Sequence, residues 1–161
     1  MEREFKIKGL MMDPITNSPI VILQDVGKNT LLPIWVGIFE ANAIALQIER
    51  IDTPRPMTHD LLKNILMQLN TSVEKIVVSD LKENTFFALI HLQMDGDHIT
   101  IDSRPSDAIA LALRTDAPIY VTEEVINSSR NITLEKENLD PEDVKKWLEN
   151  LNPEDLGKYK M

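Results

Sequence analysis

The stretch Asp102-Ser103-Arg104-Pro105-Ser106-Asp107-Ala108-Ile109-Ala110-Leu111 joins a polar turn to an apolar helical pattern. A second stretch, Arg55-Pro56-Met57-Thr58-His59-Asp60-Leu61-Leu62, has a similar order of residue types. Proline is favoured in the first turn of a helix, where its missing N–H costs nothing. Ser, Thr and Asp side chains satisfy the free N–H groups at the same place. Both stretches therefore predict the N-terminus of a helix.

Local structure does not require the arginine that precedes each proline, Arg55 in one stretch and Arg104 in the other. A cation at a helix N-terminus opposes the helix dipole. Two such arginines indicate that a carboxylate or a phosphate group comes to this place. We therefore expect Arg55 and Arg104 to lie close together, with at least one carboxylate in contact.

The amino-acid composition limits the kinds of protein that this chain can be. The 161 residues carry a formal net charge of −9, with 43% hydrophobic residues and no cysteine, which predicts one domain with a real core. The chain has no run of about 18 apolar residues, so we expect no membrane span. The absence of cysteine excludes disulfides and thiolate zinc sites and makes a cytoplasmic location the default expectation. The acidic charge argues against tight, non-specific nucleic-acid binding through a broad basic surface, but not against a local basic cleft.

Hydrophobic periodicity and turn residues predict an α+β fold with an antiparallel or mixed sheet and several packed helices. The predicted strands lie at 4–12, 20–23, 30–36, 73–81, 85–94, 98–101 and 118–121, and Gly37 ends the third of them. Lys82-Glu83-Asn84 and Asp95-Gly96 predict the hairpin turns that join the fourth, fifth and sixth strands. Helices are predicted at 39–51, 58–69 and 105–115, with a short one opening at Thr122. Residues 127–139 are polar and irregular, and Asp140-Pro141 opens a further helix. We therefore predict one domain over residues 1–127 and a helical C-terminal appendage over residues 128–161.

The first predicted helix is apolar over much of its circumference, through Phe39, Ile44, Leu46, Ile48 and Ile51. A helix that is apolar all round is usually buried, and a small domain has limited core in which to bury it. We therefore expect a homo-oligomer, a dimer or larger.

Several motifs, in a fixed order, resemble the bifunctional nuclease domain family and cover roughly residues 5–126. The matching stretches are Leu32-Pro33-Ile34-Trp35-Val36-Gly37 with Glu40-Ala41, Arg55 to Leu62, Ile101 to Ala112 with Arg114, and Ala117-Pro118-Ile119-Tyr120. The resemblance implies an α/β domain, usually oligomeric, with nuclease activity on DNA and RNA attributed to some members. It makes nucleic acid the expected substrate.

With the resemblance, the polar stretches become a candidate nuclease site. Phosphodiester hydrolysis needs charge neutralisation at the phosphate and an activated water, and Mg²⁺ or Mn²⁺ held by carboxylates can supply both. An imidazole that titrates near neutral pH suits a general base or acid. The expected residues are His59, Asp60 and Asp107 for catalysis, Arg55, Arg104, Ser106 and Arg114 for substrate binding, and Glu40 and Asp102 for a metal ion.

The same residues also have a structural interpretation. Asp60 and Asp107 are equally suited to capping helices, His59 to a cap hydrogen bond, and Arg55 and Arg104 to internal ion pairs. The alternative function is therefore a non-enzymatic oligomeric module that binds an anionic ligand or a protein partner at the two Arg-Pro stretches. Arginine side chains that are fully paired with carboxylates of the protein itself would favour a structural role.

Overall fold

The computed structural model describes residues 1–135, which form one seven-stranded sheet and four helices. The strands are β1 (Glu2–Met12), β2 (Pro19–Asp25), β3 (Leu31–Trp35), β4 (Thr71–Lys82), β5 (Thr85–Met94), β6 (Asp97–Ser103) and β7 (Ile119–Thr122). The helices are α1 (Ile38–Ile48), α2 (Thr58–Gln68), α3 (Pro105–Thr115) and α4 (Glu123–Glu135). The helix predicted to open at Asp140 lies outside the described residues.

The sheet is mixed, with the strand order β3-β2-β1-β7-β4-β5-β6. The short strand β7 joins its two halves, since it pairs antiparallel with β1 and parallel with β4. The other neighbouring strands pair antiparallel. The predicted α+β class with a mixed sheet is confirmed.

Two tight hairpins shape the β4-β5-β6 half of the sheet. Glu83 and Asn84 connect β4 to β5 with φ values of 51° and 62°. Asp95 and Gly96 connect β5 to β6 with φ values of 49° and 84°. A two-residue turn with positive φ at both positions matches the right-handed twist of the flanking strands. Both hairpins were predicted from these turn residues and are confirmed.

The main core lies between the sheet and the helices. Alternate residues of β5, such as Ala88 and Ile90, pack into one cluster with the buried face of α3, where Ala108 and Ile109 are inaccessible to solvent. Helices α1 and α3 pack against each other, and α2 packs against α3. The first turns of α1 to α3 are thereby brought into one neighbourhood.

The predicted starts of α2 at Thr58 and of α3 at Pro105 are confirmed. Met57 is the N-cap of α2, so Pro56 precedes that helix, whereas Pro105 lies in the first turn of α3. One local prediction needs correction. The prediction of irregular chain after Asn127 is wrong for residues 128–135, because α4 continues to Glu135. Val125 and Ile126 anchor α4 in the core, and extending a helix costs less than nucleating one.

Much apolar surface of α1 and α2 stays exposed. His59 is the one buried residue of α2, whereas Leu61 and Ile65 of that helix are about half exposed. In α1, Ile44 is fully buried but Phe39 is 71% exposed. No helix in the described part of the chain is long and apolar enough to cross a membrane. The compartment in which the protein works stays a prediction.

Candidate active site

The first three helices each carry an acidic residue three positions after the N-cap, namely Glu40 in α1, Asp60 in α2 and Asp107 in α3. A carboxylate in the first turn of a helix is stabilised by the helix dipole. Local sequence therefore accounts for the acids, and tertiary packing decides what each of them contacts.

Four side chains from the three helices form a continuous network, which we call the His59 network: Glu40, His59, Arg104 and Asp107. His59 Nε2 lies 2.9 Å from Asp107 Oδ1 in a hydrogen bond. Arg104 donates from Nε to Asp107 Oδ2 over 3.0 Å and from Nη1 to Glu40 Oε1 over 2.9 Å. The two Arg-Pro stretches thus meet through His59 and Asp107, and Arg104 links both to α1.

The network stabilises the charged forms of Asp107 and Arg104. Burial raises the pKa of Asp107, but hydrogen bonds from His59 and Arg104 outweigh burial and leave that pKa below its ordinary value of 3.8. Hydrogen bonds to Asp107 and Glu40 raise the pKa of Arg104. At neutral pH Asp107 is therefore a carboxylate, which suits it to orient His59 rather than to donate a proton.

Gly37 was treated in the sequence only as the end of a strand, and the structure gives it a further role. A Cβ atom at position 37 would collide with the carboxylate of Glu40. Glycine therefore lets that carboxylate fold back over the start of α1, where it reaches Arg104. A glycine immediately before a helix whose first turn is acidic was the signal that could have indicated this contact.

Two hollows open on either side of the Glu40–Arg104 pair. The smaller, of about 170 Å³, is lined by His59, Asp107, Met57 and Thr58. The larger, of about 270 Å³, is lined by Gly37, Ser106, Trp35 and Phe86 among others. Both volumes are below the roughly 300–1,000 Å³ of pockets that enclose small-molecule ligands. The shape suits a substrate that lies across the surface better than one that is fully enclosed in a pocket.

Ser106 contributes a polar group to the larger hollow. The residue is only 5% exposed and lines that hollow at the start of α3. No hydrogen bond joins its hydroxyl to another described residue. The position is consistent with the predicted role of Ser106 in substrate binding.

Arg114 is placed differently from its predicted role at the phosphate. Its side chain is 3% exposed and donates from Nε to Asp60 Oδ1 over 2.7 Å. The other two nitrogens donate to the backbone oxygens of Ala110 and Ala43, each over 2.9 Å. With all three nitrogens committed, Arg114 clamps α1, α2 and α3 together and presents no free face to a substrate.

Asp60, which was predicted as a catalytic residue with helix capping as the alternative, caps α2 and pairs with Arg114. Besides Arg114, it accepts the backbone N–H of Met57 over 3.0 Å, which caps α2. Burial raises the pKa of Asp60, but the Met57 N–H and the Arg114 guanidinium outweigh it, so that this pKa is lowered. Asp60 adjoins His59 in sequence but belongs to the Arg114 clamp.

Arg55 and Asp102 lie apart from the His59 network. Arg55 is exposed, forms no ion pair with the described residues and lines neither hollow. Asp102 pairs with Leu89 of β5, whereas its neighbour Ser103 pairs with the core residue Ala88. Because successive strand residues point to opposite faces, Asp102 is directed away from α3 and does not join Glu40.

The donor set does not form a ready-made metal centre. No group of three or more His, Asp or Glu side chains among residues 1–129 is placed to hold a metal ion. Both oxygens of Asp107 and one of Glu40 already accept bonds within the network. We therefore derive no chemical step through a bound metal.

The family of this chain is shown by its similarity to known proteins. A family model of the bifunctional nuclease domain matches residues 21–133, a span that contains the whole His59 network. The chain therefore belongs to the bifunctional nuclease domain family.

Relatives occur in bacteria and plants. An uncharacterised protein of Mycobacterium tuberculosis is 39% identical over 123 residues, which cover 76% of this chain and 73% of that protein. Bifunctional nuclease 2 of Oryza sativa subsp. japonica is 31% identical over 107 residues, 64% of this chain and 33% of the rice protein. Bifunctional nuclease 2 of Arabidopsis thaliana is 29% identical over 108 residues, 65% of this chain and 33% of the plant protein. The match thus spans about a third of each plant protein.

Proposed function

We propose that the protein is a nuclease that hydrolyses phosphodiester bonds of DNA or RNA, with His59 as its proton-transfer group. The observation that carries the proposal is the 2.9 Å bond between the buried imidazole of His59 and Asp107, at the wall of a hollow that also contains Arg104. Membership of the bifunctional nuclease domain family supports the same chemistry.

The proposed reaction begins with a water molecule near His59. Asp107 engages Nε2, which leaves Nδ1 of the ring for the water. As the water oxygen attacks phosphorus, its proton passes to His59, and the carboxylate of Asp107 stabilises the resulting imidazolium. The bond from phosphorus to the leaving oxygen breaks, and that oxygen takes up the proton that His59 releases, directly or through solvent. His59 is then neutral again, and each cleavage consumes one water molecule.

Arg104 is the proposed partner of the scissile phosphate. Its side chain is 64% exposed, and Nη2 has no hydrogen-bond partner among the described residues. Two carboxylates hold the guanidinium in place, so its free edge can donate to phosphate oxygens in a fixed geometry. The hydroxyl of Ser106, in the larger hollow, is the proposed donor to a neighbouring phosphate oxygen.

Charge limits how strongly this site attracts nucleic acid. Glu40, Asp60 and Asp107 oppose Arg104 and Arg114, which leaves a net charge of −1 when His59 is neutral. Protonation of His59 or an added cation would offset that charge. Assistance by Mg²⁺ or Mn²⁺ therefore stays part of the proposal, to be tested by chelation.

The deciding experiment is a nuclease assay on highly purified full-length protein, with single- and double-stranded DNA and RNA as substrates. The His59→Ala and Asp107→Asn variants are purified in parallel to exclude a contaminating nuclease. His98→Ala is the matched control, because His98 lies on the sheet outside the network.

A non-enzymatic module that binds an anionic ligand is the second candidate. The exposed guanidinium of Arg104, whose Nη2 has no hydrogen-bond partner among the described residues, favours it. Such a module would bind a nucleotide without cleaving it, and Arg104→Ala would abolish that binding. Equilibrium binding of a labelled oligonucleotide, measured beside the assay, separates the candidates.

We also propose a homo-oligomer, on the exposed apolar side chains of α1 and α2. Phe39 is 71%, Leu61 52% and Met67 61% exposed. Exposed apolar side chains concentrated on two helices favour an interaction surface. Burial of these side chains between copies of the chain would account for the oligomer that the apolar first helix predicts.

A further inference from the structure

The chain has three histidines, and the two outside the His59 network lie together on the β5–β6 hairpin. His91 Nδ1 is 3.0 Å from His98 Nε2, and the two ring centroids are 5.0 Å apart. The hydroxyl of Thr100 is 3.4 Å from the same Nε2 atom. Nδ1 of His91 and the hydroxyl of Thr100 thus both lie close to Nε2 of His98.

Glu74 of β4 orients one of these rings. Its Oε2 atom lies 3.0 Å from Nδ1 of His98, so Nδ1 carries the proton that the carboxylate accepts. In the neutral ring the lone pair is then on Nε2, which faces His91. Histidines that bind metals commonly donate the other ring N–H to a carboxylate in this way, and the carboxylate fixes the tautomer and ring orientation.

The distances are close to those that a metal ion requires. Two imidazole nitrogens that bind one tetrahedral zinc ion at 2.0–2.1 Å are about 3.4 Å apart. The observed 3.0 Å between His91 and His98 needs to open by only a few tenths of an ångström. His98 is about half exposed, so an ion can enter from solvent.

The supporting hairpin holds the two rings in register. His91 pairs with Thr100, and Gln93 pairs with His98, across β5 and β6. The tight Asp95-Gly96 turn closes this hairpin. The hairpin therefore holds the two rings in a fixed arrangement.

We propose that His91 and His98 bind a divalent transition-metal ion such as Zn²⁺, with Glu74 as the positioning carboxylate. Imidazole is a preferred ligand of Zn²⁺ and Cu²⁺. Two protein nitrogens leave further coordination positions for water and the Thr100 hydroxyl. This site is separate from the proposed nuclease site and does not depend on it.

Zinc titration of the full-length chain by calorimetry tests the proposal. Wild-type protein should bind one Zn²⁺ at this site, and His91→Ala and His98→Ala should each abolish that binding. Glu74→Gln should weaken it about tenfold or more, as loss of a supporting carboxylate typically does. His59→Ala is the matched control and should bind zinc as wild type does.

A second measurement needs no variant. Imidazole NMR signals of two of the three histidines should shift as zinc is added, while those of the third stay unchanged. Three results would each overturn the proposal. The first is wild-type protein that binds no zinc, and the second is wild-type zinc affinity in His91→Ala or His98→Ala. The third is loss of zinc binding in His59→Ala. In that case the contact between His91 and His98 is only a hydrogen bond.

Discussion

The two ends of α3 carry the same ion-pair chemistry in opposite surroundings. Arg104, at its N-cap, binds Glu40 and Asp107 with 64% of its side chain exposed. Arg114, in its last turn, binds Asp60 with 3% exposed. The buried guanidinium has every nitrogen committed to protein and works as a clamp. The exposed guanidinium keeps Nη2 without a hydrogen-bond partner among the described residues, as the proposed phosphate contact needs.

The largest expected effect falls on chemistry at the Arg104 end. His59→Ala and Asp107→Asn should each lower phosphodiester hydrolysis by ~10²–10⁴-fold, the usual loss for a positioned acid or base. Initial rates on the same preparations, with melting temperatures, measure the effect. His98→Ala should keep the wild-type rate, and EDTA should abolish cleavage if a divalent ion assists. Unchanged rates in both variants would leave the network with a structural role alone.

Because EDTA also strips zinc from the proposed His91–His98 site, the chelation experiment is repeated in His98→Ala. Loss of activity in both proteins assigns the metal requirement to the nuclease site. Hydrolysis that survives EDTA in both would remove the metal from the mechanism.

At the other end of α3 the expected effect is on folding. Arg114→Ala should lower the free energy of unfolding by about 3 kcal/mol, because it leaves the Asp60 charge and two backbone oxygens without their partner. Urea denaturation monitored by circular dichroism gives the value. A loss below about 1 kcal/mol would show that Arg114 is no clamp.

The matched change at the exposed end should behave differently. Arg104→Ala should change the free energy of unfolding by about 1 kcal/mol or less, as exposed ion pairs do, while it weakens substrate binding. Denaturation and KM measured together test the contrast. If Arg104→Ala and Arg114→Ala lowered the free energy of unfolding equally, the two ends of α3 would not differ in this way.

The next prediction concerns self-association through the exposed apolar side chains of α1 and α2. Sedimentation velocity at tens of micromolar protein should show a dimer or larger species, because α1 and α2 expose apolar side chains. Leu61→Glu together with Met67→Glu should dissociate it without unfolding the chain. A monomer at that concentration would contradict the proposal.

The smallest expected effect is on the free energy of unfolding at acidic pH. Asp60 and Asp107 have pKa values below the ordinary 3.8, so the folded protein binds protons less readily than the unfolded chain. Their contribution to stability is present above that ordinary value and is lost as pH falls through the lowered values. Denaturation at neutral pH and at about pH 3 should show a smaller loss on acidification in Asp60→Asn than in wild type.

Local rules predicted much of this molecule. Asp95-Gly96 and Glu83-Asn84 indicated hairpins, and Pro105 with Asp107 marked the start of α3, because turns and caps depend on residues close in sequence. The predicted start of α2 at Thr58 was also right, because Pro54 and Pro56 cannot continue the preceding helix. The pairing of His59 with Asp107, which are 48 residues apart, lay beyond such rules.

The sequence by itself determined the elements, the acids at the helix starts and the family to which the chain belongs. Only the tertiary structure decided which charges meet and which of them are buried. Helices α1 and α3 follow β3 and β6, the opposite edges of the sheet, yet Glu40 and Arg104 touch. Arg114 became a clamp and Arg55 stayed in solvent because burial depends on the packing of segments far apart in the chain, which no local pattern encodes.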